Sequence, residues 1–216
     1  MRIGILGSGL MGGKLGTLFA RAGHEVVFSY ARHRSKLEHL ARDAGKRARA
    51  GTPREAAGGA DAVLLAVPWS RVDDVLAQAG DLDGRVVVTC SMPMSADDSR
   101  LAVGLTSSGA EELAKKIPRG RIVGAFTTVP SEVLFGVFDA RRKAARPSLV
   151  CYGDDPTAKK VAAQLIRDVG FDPIDAGPLE IARYAEPFVL LVARLAYEGD
   201  GGPELAYRFM RFPARG

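Results

Sequence analysis

Hydrophobic residues are distributed along this chain in two alternating patterns. Short runs are apolar almost throughout, as is typical of strands covered on both faces; they lie at residues 3–6, 25–28, 62–67, 85–90, 121–126 and 148–152. Elsewhere apolar residues recur at helical spacing, over residues 10–22 and around Leu37, Val161 and Phe188. Because strands alternate with helices, we predict an α/β fold built on a doubly wound parallel sheet.

The pattern also indicates one main domain followed by a short C-terminal extension. We expect the main domain over residues 1–178 and a C-terminal helical extension over residues 179–216, after the turn at Gly177 and Pro178. A weak strand is expected at residues 47–50, and Thr52 followed by Pro53 is typical of a helix start. The polar residues 95–109 lack a clear period, so they predict a surface excursion.

A glycine-rich turn joins the first strand to the first helix. Its three glycines have the G-x-G-x-x-G spacing: the first permits a tight bend, the second lets the backbone approach a pyrophosphate, and the third lets helix and strand pack closely. The positive end of the helix favours the anion. The strand before and the helix after the turn therefore favour a dinucleotide-binding Rossmann fold. The predicted contacts are Gly7, Ser8, Gly9, Leu10, Met11 and Gly12.

The end of the second strand favours NADP over NAD. An enzyme that selects NAD places Asp or Glu about 20 residues after the glycines, where it binds the ribose 2′-hydroxyl. This chain has Ser29 and Tyr30 there, followed by Arg32 and Arg34. A hydroxyl and two guanidinium groups can bind a 2′-phosphate, which a carboxylate would repel. The alternative is that the arginines only solvate a loop.

Charge and composition exclude several classes of function. The formal net charge of +5 attracts anions, phosphorylated coenzymes among them. The chain has no dense Lys/Arg run with interleaved aromatics, so nucleic-acid binding is not expected. It has no apolar run of the ~18 residues that a membrane helix needs, and no typical signal peptide. Cys90 and Cys151 lie in strand-like runs and are expected to be buried thiols in a reducing cytoplasm.

Metal and nucleophilic chemistry find little support in the sequence. The three histidines lack metal-ligand spacing, and neither a G-x-S-x-G elbow nor an H-E-x-x-H motif is present. Arg183 and Glu186 stand three residues apart on the last helix, so we expect them to form a structural pair. We therefore predict no metal site and no catalytic side chain.

The chain resembles the NADPH-dependent reductases of the deazaflavin coenzyme F420, from its first strand to its last helix. The matching segments are residues 7–12, 23–27, 67–69, 129–130, 153–155 and 175–179, with Arg183 and Glu186. The last three segments, residues 129–130, 153–155 and 175–179 with Arg183 and Glu186, are specific to this family. The family is also similar to the cofactor domain of pyrroline-carboxylate reductases. The resemblance implies direct hydride transfer between NADPH and the deazaflavin, with catalysis mostly by positioning.

The resemblance also implies roles for residues at other strand ends, where ligands of such sheets bind. Besides the glycine turn, Ser29, Tyr30, Arg32 and Arg34, the coenzyme contacts would be Val67, Pro68, Trp69, Ser91, Met92 and Pro93. The second substrate would contact Thr127, Thr128, Pro130 and Ser131. Thr127 is a departure, since the family carries His or Asn in this segment.

Two other functions stay open at this stage. One is an imine reductase of the pyrroline-carboxylate type, although few residues follow Pro178 to form its helical domain. The other is a non-catalytic sensor that binds NADP and reports redox state to a partner. The last helix is apolar around much of its circumference, and such a helix must be covered on more than one face. This helix and the resemblance predict a homodimer.

Overall fold

A computed structural model describes residues 1–97, 99–143 and 145–212. Eight strands form one sheet in the order β3-β2-β1-β4-β5-β6-β7-β8. The strands are β1 (Arg2–Leu6), β2 (Glu25–Ser29), β3 (Ala48–Ala50), β4 (Ala62–Leu65), β5 (Val86–Thr89), β6 (Arg121–Ala125), β7 (Ser148–Gly153) and β8 (Asp172–Asp175). The helices are α1 (Leu10–Arg21), α2 (Arg34–Ala44), α3 (Pro53–Ala57), α4 (Val72–Ala79), α5 (Gly109–Lys116), α6 (Val133–Ala140), α7 (Pro156–Asp168) and α8 (Ala182–Tyr197).

The first six strands are parallel, as the sequence predicts. β1 pairs with β2 on one side and with β4 on the other, with Ile5 opposite both Phe28 and Leu64. Successive strands are therefore added on one side of β1 up to β3 and on its other side from β4 onwards, so the strand order reverses at β1. In open sheets of this kind a ligand binds beyond the carboxyl ends of the strands at such a reversal. The glycine turn at the end of β1 lies at this point.

The last two strands correct the prediction of a wholly parallel sheet. β7 runs antiparallel to β6, with Ala125 opposite Cys151, and β8 runs parallel to β7. The chain therefore returns from α6 at the carboxyl end of the sheet instead of crossing back to the other end. An apolar run records burial on both faces but not strand direction. The sequence also did not predict α5, α6 or β8.

Helices cover both faces of the sheet, which explains why the strands are apolar throughout. On one face Phe19 of α1 and Leu165 of α7 pack in a cluster with Phe28 of β2. On the other face, Val75 of α4 and Leu113 of α5 pack with strand residues such as Val87 and with Leu179. Leu179, the first residue of the predicted extension, thus shares a core with the main domain.

One local prediction, the helix start at Thr52, is confirmed, and the polar segment after β5 is irregular. The Thr52 hydroxyl accepts a hydrogen bond from the Glu55 N–H, and the Glu55 carboxylate accepts one from the Thr52 N–H, so α3 begins at a capping box. The described residues of the 95–109 excursion, up to the start of α5, form turns and one isolated bridge between Met94 and Leu101.

The end of the chain folds back onto the sheet. The Ser148 N–H at the start of β7 donates to the Tyr207 carbonyl at 2.8 Å. The Tyr207 ring packs edge-on against Phe188 of α8 and against Phe209. Within the described residues, no helix combines the length and the apolar character that crossing a membrane requires. The last four residues of the predicted extension lie outside the described residues.

Candidate functional site

The glycine turn after β1, which we call the glycine loop (residues 7–12), has the shape that a bound pyrophosphate needs. Gly7 has φ of +108°, which favours glycine. A Cβ atom at Gly12 would overlap the Gly7 carbonyl oxygen, so α1 packs against the turn only because this side chain is absent. At Gly9, by contrast, an added Cβ would meet no described atom within 4 Å. The backbone is therefore open to a ligand at Gly9, at the N-terminus of α1.

The end of β2 corrects one predicted contact. The Ser29 hydroxyl donates to the Ile5 carbonyl at 2.7 Å, and the residue is fully buried. It joins two strands and is turned away from any phosphate at the surface. The buried Ser8 hydroxyl donates to the Ser29 carbonyl at 2.9 Å and fixes the glycine loop to β2. Tyr30 has φ of +57°, and its hydroxyl donates to Asp74 of α4.

Guanidinium groups follow the end of β2, where the sequence predicts a 2′-phosphate. Arg32 and Arg34 are exposed beyond β2, and Arg34 pairs with Glu38 at 3.1 Å. Hydrogen bonds from Thr52 lower the pKa of Glu55, and the charges of Arg49 and Arg34 lower it further. Arg49 thus contributes to the positive potential here, a residue that the sequence reasoning missed. This arrangement fits a phosphate next to Arg32 and Arg34.

The ends of β4 and β5 are tied to each other. The Val67 N–H donates to the Ser91 hydroxyl at 3.1 Å, so the buried Ser91 side chain holds the two strand ends together. Trp69 is half-buried and opens a 3₁₀ turn, Trp69–Arg71, after the exposed Pro68. Pro93 is buried, and Met92 is half-buried. The structure therefore brings all six predicted contacts of this region to the carboxyl edge of the sheet.

A cavity of about 220 Å³ lies beside the glycine loop, and we call it the β6 cavity. Leu10 and Met11 of the loop form one wall. Thr127, Pro130 and Ser131, which follow β6, form the second. Apolar residues of α8 form the third, with Tyr197 at its end; they are Val189, Val192 and Ala193. The glycine loop and three of the predicted substrate residues therefore share one cavity.

The fourth predicted substrate residue has a different position. Thr128 is fully buried, and its hydroxyl lies 2.7 Å from the Tyr207 hydroxyl of the C-terminal tail. The residue anchors the tail and does not line the cavity. This corrects the prediction that Thr128 contacts a substrate.

A buried hydroxyl lies in the cavity wall. Thr127 Oγ1 makes no hydrogen bond of ordinary geometry among the described residues, although Thr127 is close enough to Tyr152 to lower the pKa of that tyrosine against the effect of burial. Burying a hydroxyl without a good hydrogen bond costs about 1–3 kcal/mol, so such a group calls for a structural explanation. Phe126, directly before it, has φ of +65°, a conformation that is rare for a bulky residue. The backbone strain at Phe126 thus lies next to this buried hydroxyl.

A second group of polar side chains closes the cavity from the side of α1. Lys14 Nζ lies 3.1 Å from both the carbonyl oxygen and the hydroxyl of Ser131. The Ser131 hydroxyl donates to Glu132 at 3.3 Å, and the Tyr197 hydroxyl donates to the same carboxylate oxygen at 2.9 Å. Burial raises the pKa of Glu132, but the bond from Tyr197, with the charge of Lys14, leaves this pKa lowered overall. Burial and this carboxylate raise the pKa of Tyr197 to about 12.

Sequence reasoning predicted Ser131 but missed Lys14, Glu132 and Tyr197. Lys14 stands in a helix, where a lone lysine is typical of a solvated face, and Tyr197 lies at the end of an apolar helix. No local signal links either of them to Ser131, which is 117 residues from Lys14.

The expected pair between Arg183 and Glu186 is absent from the hydrogen bonds and salt bridges of the described residues. Arg183 instead binds Glu111 at 2.7 Å and Glu180 at 2.9 Å. The buried Glu186 carboxylate accepts hydrogen bonds from the first two N–H groups of α5. Burial raises the pKa of Glu186 to about 7. Glu186 therefore caps a helix.

Two further features lie outside this site. A larger hollow of about 420 Å³ lies at the amino ends of β1–β3, at the opposite end of the strands from the glycine loop. Cys90 and Cys151 are free thiols; Cys151 is buried, as expected, whereas Cys90 is half-buried. Within the described residues, no three His, Cys, Asp or Glu side chains are grouped so that they could hold a metal ion.

The chain is similar to several known proteins. Residues 2–93 match the model of a family described as NADP oxidoreductase, coenzyme F420-dependent. The match agrees with the family resemblance over these residues, which contain the glycine loop. Metalloreductase STEAP3 of Rattus norvegicus is 29% identical over 189 residues, which are 88% of this chain. The chain spans only 36% of that protein's length.

Solved structures share the fold. A protein of Arthrobacter sp. FB24, provisionally described as an F420-dependent NADP reductase, superposes with a TM-score of 0.84 at 24% identity, covering 98% of this chain and 100% of that one. An imine reductase of Aspergillus terreus superposes with a TM-score of 0.65 at 17% identity, covering 88% of this chain and 59% of that one. At these identities the likeness concerns the fold alone.

Proposed function

We propose, from the family match of residues 2–93, that this chain is an NADP-dependent oxidoreductase. It would transfer a hydride between NADPH and a deazaflavin of the coenzyme F420 type, or a similar small acceptor. The observation that carries the proposal is the shared wall of the β6 cavity, where Leu10 and Met11 belong to the glycine loop as well. An acceptor in this cavity would therefore lie next to the bound coenzyme.

The residues present fit NADP. The open backbone at Gly9 and the N-terminus of α1 suit the pyrophosphate, and the exposed Arg32 and Arg34 suit the 2′-phosphate. By the family resemblance, Pro68 and Trp69 would flank the adenosine. The bound coenzyme would supply a hydride, and the protein would position the acceptor and exclude water from it.

The β6 cavity suits a flat, mostly apolar acceptor. Its walls are apolar residues of the glycine loop and α8, and its polar groups are the hydroxyls of Thr127, Ser131 and Tyr197. A ring with heteroatoms at one edge can use such hydroxyls while its carbon face lies against the apolar wall. The deazaflavin ring has this chemistry. The Thr127 hydroxyl, which is buried in the cavity wall, would bind one of its heteroatoms after turning toward the cavity.

Oxidation of NADPH with a panel of acceptors tests the proposal. The panel contains coenzyme F420, FMN and 1-pyrroline, which represents the imine acceptors of the alternative reductase class, and loss of NADPH absorbance is the readout. Rapid oxidation with F420 supports the proposal, and preference for 1-pyrroline favours the imine reductase. If calorimetry shows tight NADPH binding but no acceptor is reduced, the chain is a sensor and the proposed activity is wrong.

A further inference from the structure

An ammonium group lies directly behind a hydroxyl of the β6 cavity. Lys14 is half-buried on α1, and its Nζ donates to Ser131 Oγ and to the Ser131 carbonyl, each at 3.1 Å. Ser131 is buried and lines the cavity. We call Lys14 and Ser131 the donor pair. Because the ammonium polarises the hydroxyl, the donor pair can stabilise negative charge that develops inside the cavity.

Hydride transfer to the proposed acceptor creates such charge. When a hydride adds to the ring carbon of a deazaflavin, the electrons of the conjugated C=C–C=N unit move onto a ring nitrogen. When it adds to the carbon of an imine, they move onto the imine nitrogen. In either case the nitrogen must then take up a proton. The neighbouring walls of Val189, Val192 and Pro130 are apolar and offer no compensation for this charge. A proton donor at the cavity wall would therefore accelerate the reaction.

We propose that Ser131 donates this proton to the acceptor heteroatom and that Lys14 restores it. The inference rests on the proposed function. The hydride forms a C–H bond, the π electrons become a lone pair, and the Ser131 O–H bond breaks as a new bond to hydrogen forms on the heteroatom. Lys14 then transfers a proton to Ser131 and recovers one from solvent. The nicotinamide is oxidised and the acceptor is reduced.

The geometry favours Ser131 over the other two hydroxyls of the cavity. The Thr127 oxygen is itself buried, and among the described residues no ammonium group donates a hydrogen bond to it. Tyr197 is exposed and donates firmly to Glu132 at 2.9 Å. The bond from Ser131 to Glu132 is 3.3 Å, which is longer than the roughly 2.5–3.0 Å of ordinary O–H···O bonds. The Ser131 proton can therefore turn to a ligand at little cost.

The first test measures charge stabilisation without turnover. The probe is 4-nitrophenol, whose ionised and neutral forms differ in absorbance, bound to the protein saturated with NADP⁺. We expect Lys14→Met to weaken binding of the phenolate form about ten- to hundredfold, the loss typical of one charge-assisted hydrogen bond. Lys14→Arg should bind it nearly as well as the unmodified chain. Lys160→Met, which removes an exposed lysine of α7, is the matched control.

The second test separates proton transfer from positioning. Arginine keeps the charge and the hydrogen bonds but does not give up its proton in proteins. With F420 as acceptor, Lys14→Arg should therefore lower kcat at least tenfold with little change in KM for NADPH. Ser131→Thr should retain most of kcat, whereas Ser131→Ala should lose it and show a larger solvent deuterium isotope effect.

The outcomes distinguish this inference from the proposed function. If no acceptor oxidises NADPH, the proposed function fails, and phenolate binding still decides whether the donor pair stabilises an anion. Equal phenolate affinity of the unmodified chain and Lys14→Met would overturn the inference. Full activity of Ser131→Ala, or of Lys14→Arg, in a protein that does reduce F420 would overturn it as well.

Discussion

The Glu186 carboxylate of α8 accepts a hydrogen bond of 2.8 Å from the backbone N–H of Gly109, the first residue of α5. A second bond, from Ala110, is 3.0 Å long. Since the first N–H groups of a helix have no partner within it, this side chain caps α5 from 77 residues away. Val192 and Tyr197 of the same helix line the β6 cavity. The cap therefore helps to fix the cavity wall.

This cap predicts a pH-dependent stability. Burial raises the pKa of Glu186 from an ordinary 4.5 to about 7, so between these values the folded chain binds more protons at this site than the unfolded chain. The contribution of Glu186 to stability is full below pH 4.5 and is lost as the pH rises through 7, up to about 3 kcal/mol. Glu186→Gln cannot ionise and should remove this slope. Thermal unfolding of both proteins from pH 5 to 8 measures it, and parallel curves would contradict the prediction.

Coenzyme choice should depend on the arginines after β2. NADPH should bind more tightly than NADH, because the 2′-phosphate adds charge-assisted hydrogen bonds to Arg32 and Arg34. Arg32→Ala should cost about 1.5–3 kcal/mol of NADPH binding, or one to two decades in Kd, and change NADH binding little. Calorimetry with both coenzymes measures this, and Arg167→Ala on α7 is the control. Equal affinities of the unmodified chain would show that these arginines only solvate a loop.

Two substitutions in the glycine loop should separate an effect on coenzyme binding from an effect on folding. Gly9 has φ of −77°, which any residue adopts, and an added Cβ meets no described atom within 4 Å. Gly9→Val should therefore fold normally but exclude the pyrophosphate and lose NADPH binding. Gly12→Ala should instead destabilise the fold, because its Cβ overlaps the Gly7 carbonyl. Melting curves and calorimetry distinguish the two variants, and normal NADPH affinity of Gly9→Val would place the coenzyme elsewhere.

The exposed face of α8 predicts self-association. Tyr184, Leu191 and Leu195 lie 69%, 53% and 55% exposed, at spacings that place them on one side of the helix. The tail folds back, as the alternative to a dimer requires, but Tyr207 packs on Phe188 and leaves these three uncovered. A two-fold interface would bury them against their copies.

Light scattering at micromolar concentration tests this assembly. We expect twice the chain mass of 22.9 kDa for the unmodified protein. Leu191→Glu should shift the equilibrium toward monomer, because a dimer would then bury an unpaired charge. The exposed substitution Arg167→Ala should leave the mass unchanged. A monomeric mass for the unmodified chain would rule out the dimer.

Local signals allowed much of the fold to be predicted from the sequence. The glycine spacing, the capping box at Thr52 and the apolar runs each depend on residues that are close in sequence, so α1, α3 and the six parallel strands were predicted correctly. The direction of β7 was not, because an apolar run records burial on two faces and is the same for either direction. The sequence therefore predicted which residues end these strands, but it did not predict which residues their side chains contact.

Contacts between distant residues were decided only by the tertiary structure. Ser29 looked like a phosphate ligand by its position, but its hydroxyl is used by Ile5 of the neighbouring strand, 24 residues away. Glu186 was matched with Arg183 one helical turn away, yet it caps α5. Lys14 donates a hydrogen bond to Ser131, which is 117 residues away in the sequence. The sequence determined which residues reach the carboxyl edge of the sheet, because strand ends are set by local pattern. Packing determined which of their polar atoms remain free to bind a ligand. A polar atom that forms a hydrogen bond within the fold is no longer available to a ligand.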